Sequence, residues 1–452
     1  MAIHLSDRFT YARLLRFTLP AVAMSLFTAV YSLTDGWFVS NYAGKEALAA
    51  VTLVFPLLGV LGAAGFMLGA GGCAHVGRLL GEGRQAEARQ AFSLCIYATL
   101  ALGTLLALLG QIVLEPLMAC FGASGGTLAQ SVLYGRISLL SLPCFMLQFC
   151  FQPFFACAER PRLGLAVTLG AGLCNMALDA LLVAVLGWGL AGAAMATAAS
   201  EALGGLAPLA CFARAGQSPL ALGRPLRPAL AWGFLGRACV NGCSEFLINV
   251  AYPLLTCLYN WRLMRLAGED GVAAFGAQLY ISYFFVAVFL GYALGSAPLV
   301  SFNFGAGTHA ELANVFRKSL VLNALAGLVL AGLCLALAGT LAACYAGYDE
   351  ALCALAARAI RLLAPMFLVC WVNIWGSAFF TAIGQGLASG LIAGLRTLVF
   401  GSLAVLLLPE ALGLDGVWLG WCAAELACLG VTCPLLVRAR REPARRIRAG
   451  KA

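Results

Sequence analysis

Residues 80–87 of the chain read LGEGRQAE, and residues 304–311 read FGAGTHAE. Each stretch ends a long apolar run, and the glycines at 81 and 83 recur at 305 and 307, an offset of 224 positions. Other pairs at this offset are Phe92 with Phe316, Gly192 with Gly416 and Glu201 with Glu425. Because half of the 452 residues is 226, the chain is predicted to be one structural unit that occurs twice.

Composition indicates a membrane protein. Apolar residues make up 62% and charged residues 10% of the chain, with a mean hydropathy of +0.93. A soluble domain has about 25% charged residues, so most of this surface must face lipid. The 18 cysteines are scattered through apolar runs, which favours small buried side chains over disulfides. The three histidines are too far apart in sequence to indicate a metal site.

Twelve apolar runs are each long enough for the ~20 residues that cross a bilayer. They fall near residues 16–40, 46–74, 91–113, 132–157, 163–186, 190–213, 230–260, 271–301, 316–343, 357–383, 387–409 and 415–437. The predicted fold is therefore an all-α polytopic membrane protein, with twelve transmembrane helices in two pseudo-symmetric six-helix lobes. The expected divisions are an amino lobe at 1–213, a Pro/Gly/Arg-rich linker at 214–229, a carboxy lobe at 230–437 and a basic tail at 438–452. Residues 1–15 are expected to be a short polar lead-in rather than a signal peptide.

Basic residues orient the helices. If both ends are cytoplasmic, 20 of the 28 basic residues fall on cytoplasmic segments and five on outer loops, a bias that decides the orientation. The chain is then a multi-pass protein of the plasma (bacterial inner) membrane, and its tail is an anchor for anionic lipid headgroups. Six helices per lobe make the repeats parallel. The net charge of +9 is spread over many loops, so no nucleic-acid partner is expected.

Five acidic residues lie within the predicted spans: Asp35, Asp179, Glu201, Glu245 and Glu425. Charges in hydrocarbon are costly and tend to mark transport pathways. Glu201 and Glu425 are related by the repeat, which favours an architectural role for this pair over a role in transport. Asp35, Asp179 and Glu245 have no acidic counterpart, so they are predicted to couple ion movement to transport. A position near a helix end, at the membrane interface, is the alternative for Asp35.

Polar residues four positions apart form stripes on single helix faces. Asn175 and Asp179 share one face, and Asn241, Glu245 and Asn249 share another. Further stripes are Gln148 with Gln152, and Asn373 with Ser377 and Thr381. Hydrogen bonds between helices, worth about 0.6–2 kcal/mol each, are an equally good explanation of the amide stripes. A carboxylate within a stripe favours proton exchange instead.

No motif for covalent catalysis occurs. The Gly81-x-Gly83 pattern follows no predicted strand and precedes no Lys-Ser/Thr pair, so it indicates a tight turn rather than a phosphate loop. The sequence contains no HExxH or Walker motif and no Ser/His/Asp arrangement. The protein is therefore not expected to be an enzyme or to carry a cofactor or metal.

Several motifs together resemble the MATE (multidrug and toxic compound extrusion) transporters, in particular their bacterial multidrug-exporter branch. One is DGWFVS at residues 35–40 followed by ALAAV at 47–51. The others are NMALD at 175–179 leading to GLAGAA at 189–194, NGCSEF at 241–246 with LAGEDGVAA at 266–274, and FNFGAG at 302–307. The resemblance extends over nearly the whole chain.

The resemblance implies two lobes around a central cavity and export of organic cations in exchange for H⁺ or Na⁺. It places an amino-lobe proton or cation site at Asp35, Asn175, Asp179 and Thr197, and a carboxy-lobe cation site at Glu245. The tenth helix departs from the pattern, because Asn373 stands near the position of an expected acid. Na⁺ favours several charged oxygen ligands, so this departure favours H⁺.

The substrate is expected to be a small organic molecule, and the other partner is membrane lipid, with the chain acting as a monomer. The predicted substrate cavity is lined by Gln148, Gln152, Asn241, Asn249, Tyr280, Tyr283, Asn373 and Ser377. The two tyrosines offer ring faces to a cationic drug, with plain packing as the alternative.

Three other functions remain open from sequence. A Na⁺-coupled exporter would share the fold. A lipid or glycolipid flippase would carry a cationic cavity for headgroups, whereas the charges within these spans are mainly acidic. A passive channel is the third, but two lobes joined by a flexible linker suit rocking motions better than a static pore.

The charge bias generates a test of topology. Reporter fusions after residues 220 and 452 should both give a cytoplasmic signal, because the even number of helices in each lobe returns the chain to its starting side. An external signal from either fusion would contradict the arrangement of two parallel six-helix repeats.

Overall fold

The computed structural model describes residues 3–214, 218–225, 228–346 and 349–449, and this part of the chain is helical with no β-strand. Six long helices form the amino lobe. They are α1 Tyr11–Phe38, α2 Lys45–Gly81, α3 Gln85–Cys120, α4 Gly125–Cys157, α5 Pro161–Leu178 and α6 Gly189–Ala213. Short π-helical segments, Val39–Ala43 and Asp179–Val185, extend α1 and α5.

The carboxy lobe also has six spans. Helices α7 and α8 are the two arms, 228–267 and 269–305, of the segment Pro228–Gly305, which bends at Gly268 where φ is 62°. The remaining spans are α9 His309–Ala346, α10 formed by Glu350–Leu363 and Cys370–Ala382, α11 Gly386–Leu412 and α12 Gly420–Ala449. A 3₁₀ segment, Ala364–Leu368, joins the two parts of α10, and a short helix, Leu414–Trp418, precedes α12.

The prediction of twelve spans is confirmed. Eleven helices among the described residues are long and apolar enough to cross a membrane, and one of them, Ala231–Gly305, contains both α7 and α8. Another of the eleven, Glu350–Leu368, is the first part of α10, so dividing Ala231–Gly305 into α7 and α8 gives twelve spans. Helix ends extend beyond the predicted runs. For example, α3 begins before its predicted run and contains the acidic Glu87 in its first turn. An acidic side chain stabilises that end of a helix without needing hydrocarbon.

Both lobes begin and end on the same side of the molecule because each has six spans. We call the side with the α2–α3 and α8–α9 turns the termini end, and the opposite side the far end. The linker and the last turn of α12 also lie at the termini end. All 18 cysteines are free thiols, so no disulfide constrains the helices.

Glycines bring α2 and α8 into backbone contact at the termini end. A Cβ atom added to Gly81 would lie 2.1 Å from the carbonyl oxygen of Phe302, and one added to Gly305 would lie 2.2 Å from that of Arg78. Gly81 and Gly305 are equivalent in the repeat, and so are Arg78 and Phe302, because each pair differs by 224 positions. The contact is therefore symmetric, and the pseudo-twofold axis passes between α2 and α8.

A second symmetric pair of contacts joins each lobe to the first helix of the other. A Cβ atom on Gly71 of α2 would lie 2.8 Å from the amide nitrogen of Gly242 on α7, and one on Gly295 of α8 would lie 3.1 Å from the Cα atom of Thr18 on α1. These pairs are also related by 224. We call the two sets of contacts the glycine seam. Small residues allow this close approach between membrane helices.

The amino-terminal segment, residues 3–10, contacts both lobes at the termini end. The Leu5 amide donates to Glu159 Oε1 at 2.7 Å in the amino lobe, and the Phe9 amide donates to Glu311 Oε1 at 2.9 Å in the carboxy lobe. Leu5 and Phe9 are each only 1% exposed. The segment is therefore a packed bridge rather than the predicted polar lead-in, because its two apolar side chains have a buried site to fill.

His4 extends this bridge through an exposed ion pair. Its Nδ1 lies 2.7 Å from Glu159 Oε2, and the hydrogen bond and charge of Glu159 raise the pKa of His4 above its usual value. Glu159 has a left-handed φ of 60°, a conformation that non-glycine residues adopt at some cost. The contacts of its carboxylate with residues 4 and 5 offset part of that cost.

The linker is docked where it is described. Arg89 of α3 donates to the carbonyl oxygens of Ser218 and Pro219, at 2.9 and 3.2 Å, and Leu220 is fully buried. Residues 215–217 and 226–227 of the linker, like 450–452 of the tail, lie outside the described residues. The expectation of a flexible linker is therefore wrong for residues 218–225, because guanidinium hydrogen bonds and a buried leucine fix them to the amino lobe.

The glycine seam predicts that alanine substitutions at two glycines of α7 differ in their effect on stability. A Cβ atom on Gly242 would lie 2.0 Å from the carbonyl oxygen of Met67, whereas no atom lies within 4 Å of one on Gly236. Gly242→Ala should destabilise the protein by about 1–3 kcal/mol through overpacking. Gly236→Ala should be neutral or slightly stabilising. Thermal unfolding in detergent measures both, and equal midpoints would contradict a tightly packed seam.

Candidate functional site

Asp35 and Asp179 meet inside the far-end half of the amino lobe. Asp35 lies near the end of α1, and Asp179 is the first residue of the π-helical segment Asp179–Val185. Their carboxyl groups are close enough to interact directly. The hydroxyl of Thr197 on α6 donates to Asp35 Oδ1 at 3.5 Å. The structure thus brings together three residues that are far apart in sequence, and π-helical segments are frequent at such sites.

Several oxygen atoms of this group have no hydrogen-bond partner among the described residues. They are both carboxylate oxygens of Asp179 and Oδ1 of Asn175, one turn earlier on α5. Asp179 and Asn175 are 0% and 1% exposed. Buried polar atoms are nearly always paired in folded proteins. The unpaired oxygens therefore give the site capacity to accept a proton or a cation.

Glu201 belongs to the same neighbourhood. It lies on α6, its Oε2 accepts a hydrogen bond of 2.5 Å from the Ser141 hydroxyl, and the charge of Asp35 acts on it. Tyr31 of α1 lies beside Gln148 and also near Glu201. None of the ion pairs among the described residues includes Asp35, Asp179 or Glu201. We call these three carboxylates the acid-only cluster.

The repeat-related Glu425 has a different environment. Its Oε1 accepts a 2.5 Å hydrogen bond from Arg396 Nε on α11, and its Oε2 accepts one of 2.7 Å from the Asn373 amide. Asn373 Oδ1 in turn accepts from the Thr432 hydroxyl at 2.6 Å. Glu425 is 1% exposed. This buried network joins α10, α11 and α12, and it fits the predicted architectural role for Glu425.

Glu245 is part-buried on α7, apart from the acid-only cluster. Arg396 lies near enough for its charge to act on Glu245. The side-chain amide of Asn249 donates to the Glu245 backbone carbonyl at 2.8 Å, and that of Asn241 donates to the Thr381 carbonyl at 2.8 Å. The polar stripe of α7 thus divides between a bond within the helix and a bond to α10.

The predicted cavity residues separate into two groups. Tyr280 and Tyr283 of α8 are 44% and 42% exposed, and Tyr283 acts electrostatically on Tyr31 of the other lobe, so the two lobes face each other here. Asn373 and Ser377 instead lie inside the carboxy lobe, where Asn373 bonds to Glu425 and Ser377 to Ser389 at 2.8 Å. Interior hydrogen bonds occupy their polar atoms. Gln148 and Gln152 are part-buried on α4.

Sequence reasoning missed Arg396, Tyr31 and the position of Glu201. Arg396 had a detectable signal, since it is the single basic residue within the apolar run 387–409. For Glu201 the sequence signal was misleading, because repeat symmetry with Glu425 indicated that the two residues share a role. For Tyr31 there was no sequence signal, since an aromatic residue in an apolar span is ordinary.

The two repeat-related acids should differ in their effect on stability. Glu425→Gln breaks the buried ion pair with the Arg396 guanidinium, which should cost about 3–5 kcal/mol. The matched change Glu201→Gln keeps an oxygen that can accept from Ser141, so the loss should stay near ~1 kcal/mol. Thermal unfolding and the yield of folded protein measure the difference. Similar losses for both variants would show that the two sites are energetically alike.

Comparison with known proteins agrees with this fold. The MatE family model matches residues 20–181 and 246–406, one match in each lobe. The multidrug export protein MepA of Staphylococcus saprophyticus is 24% identical over 422 residues, covering 92% of this chain and 91% of that protein. MepA of Staphylococcus aureus strain MRSA252 is 24% identical over 428 residues, with the same coverage.

Solved structures share the architecture. One described as MATE in complex with MaL6 superposes with a TM-score of 0.91 at 20% identity, covering 97% of this chain and 98% of that one. Another, described as the outward-facing conformation of a multidrug resistance MATE family transporter, has the same TM-score, identity and coverage. The twelve helices, the internal repeat and the family match over both lobes show that this chain belongs to the MatE family and is a multi-pass membrane transporter rather than an enzyme.

Proposed function

We propose that this protein is a proton-coupled antiporter that exports organic, often cationic, compounds by alternating access. The acid-only cluster is the observation that carries the proposal. Asp35, Asp179 and Glu201 bring three carboxylates together within the membrane-spanning part of the amino lobe, and they pair with no basic side chain among the described residues. Like charges in a low-dielectric interior repel strongly. Binding of a proton relieves that repulsion without requiring a coordination shell.

The described residues place one hydroxyl beside each of two carboxylates of the acid-only cluster. Ser141 donates to Glu201, and Thr197 donates to Asp35. A Na⁺ or other hard cation needs several inward-facing oxygen ligands at once, whereas a proton needs one carboxylate oxygen. The small number of hydroxyl ligands therefore favours H⁺ over a metal cation.

Exchange follows if the proton and a cationic substrate compete for the same negative charge. An ion can drive export only when it binds one conformation better than the other. Protonation of the cluster removes the charge that holds a cation, which is then released. Tyr31 and Tyr283 lie on the two facing lobes and offer aromatic faces to an organic cation.

The lobes, residues 1–213 and 230–437, would act as the two moving bodies within one chain, so a monomer suffices. The glycine seam and the amino-terminal segment close the termini end. With the termini in the cytoplasm of a bacterial cell, closure of this end supports an outward-facing state, the state named for one of the similar solved structures. The basic tail would then lie against anionic headgroups of the inner leaflet.

Transport in proteoliposomes tests the coupling ion. Efflux of a cationic dye should follow an imposed pH gradient and persist in Na⁺-free buffer. Asp35→Asn and Asp179→Asn should reduce gradient-driven transport to background, because an amide cannot exchange a proton.

Glu115→Gln is the matched control, since Glu115 has a side chain that is 62% exposed on α3 away from the cluster. This variant should transport at the wild-type rate. Transport that stops without Na⁺ and ignores collapse of the pH gradient would overturn the proposed proton coupling.

A further inference from the structure

Arg396 places a positive charge in the middle of an apolar helix. It lies in the π-helical segment Leu395–Phe400 of α11, and its side chain is 16% exposed. Its guanidinium holds Glu425 Oε1 at 2.5 Å, while the Asn373 amide holds the other carboxylate oxygen at 2.7 Å. Both oxygens of Glu425 are therefore already engaged by hydrogen-bond donors.

A second carboxylate lies within reach of the same charge. Arg396 acts electrostatically on Glu245 of α7. Without the guanidinium, neither Glu425 nor Glu245 would have a basic partner among the ion pairs of the described residues. Carboxylate oxygens are the ligands that a hard cation prefers.

The amino lobe has no equivalent of this arginine. Subtracting the repeat offset of 224 from 396 gives Gly172, and the neighbouring residue is Ala171. A Cβ atom on Gly172 would already lie 2.5 Å from the Phe27 ring and 3.0 Å from the Tyr31 ring, so these rings fill the place of a longer side chain. One lobe therefore contains a fixed cation beside its acids, and the other contains acids alone.

We propose that Arg396 is the resident cation of the carboxy lobe, where its guanidinium occupies the position that a monovalent metal ion would otherwise take beside Glu425 and Glu245. The arginine is thus a specificity-determining residue, because it makes this lobe insensitive to Na⁺. The inference deepens the proposed function, since ion exchange is then confined to the acid-only cluster. The proposed role of Arg396 requires no movement of the backbone.

Two substitutions of Arg396 test the role of its charge. Arg396→Gln keeps a donor for Glu425 but removes the charge, whereas Arg396→Lys keeps the charge. Both are made in an Asp35→Asn/Asp179→Asn/Glu201→Gln background, so that the amino lobe does not contribute ion binding. Thermal unfolding of the purified full-length protein is then compared in NaCl and in choline chloride at equal ionic strength.

The background protein and its R396K form should unfold at the same temperature in both salts. R396Q should unfold at a higher temperature in NaCl, because a ligand that binds only the folded state multiplies the folded-to-unfolded ratio by 1 + [Na⁺]/Kd. Adding Glu425→Gln to R396Q should abolish the difference between the salts. This last step assigns the bound ion to the network of Glu425.

Three outcomes would overturn the inference. The R396Q protein could be indifferent to Na⁺, or it could fail to be recovered in either salt, although Na⁺ should replace the missing guanidinium. The third is a background protein that Na⁺ already stabilises. Failure of the proposed function is distinguishable, because Na⁺-driven transport by the wild-type protein through the amino lobe would leave this carboxy-lobe comparison unaffected.

Discussion

Backbone-to-backbone contact between α2 and α8 is the constraint around which the two lobes are arranged. Lipid supplies no hydrophobic force between helices, so their association depends on close van der Waals packing and on buried polar contacts. Gly81 approaches the carbonyl oxygen of Phe302, and Gly305 approaches that of Arg78. The two glycines are counterparts in the repeat, and so are Arg78 and Phe302. A symmetric contact of this kind can form only if the two halves retain the same helix register.

The seam occupies one end of the helices, and the charged groups lie deeper in each lobe. This separation lets the lobes be alike in packing and unlike in electrostatics. In the carboxy lobe, Arg396, Glu425 and Asn373 form a network in which each carboxylate oxygen has a donor. In the amino lobe, Asp179 has neither a basic partner nor a hydrogen bond to its oxygens among the described residues. Satisfied groups favour a fixed structure, and unsatisfied ones favour exchange of a ligand.

Two segments outside the helices make the arrangement asymmetric. Residues 3–10 bridge Glu159 of the amino lobe and Glu311 of the carboxy lobe, so they add interlobe contacts at the termini end. Residues 218–225 contact the amino lobe through Arg89. Opening of the termini end during transport would have to release the bridge at one of its two glutamates. The described hydrogen bonds of the docked linker lie within the amino lobe.

The sequence by itself determined the membrane class, the twelve spans and the repeat, because hydrophobic length and a constant offset of 224 positions are properties of the chain alone. Its motifs also indicated Asp35, Asn175, Asp179 and Thr197 as one group, which the structure brings together. Tertiary structure decided the rest. Glu201 and Glu425 are indistinguishable by repeat symmetry, yet among the described residues Glu425 pairs with an arginine and Glu201 does not. The burial of Asn373 and the docking of residues 218–225 likewise depend on neighbours that are distant in sequence, and local patterns carry no record of those neighbours.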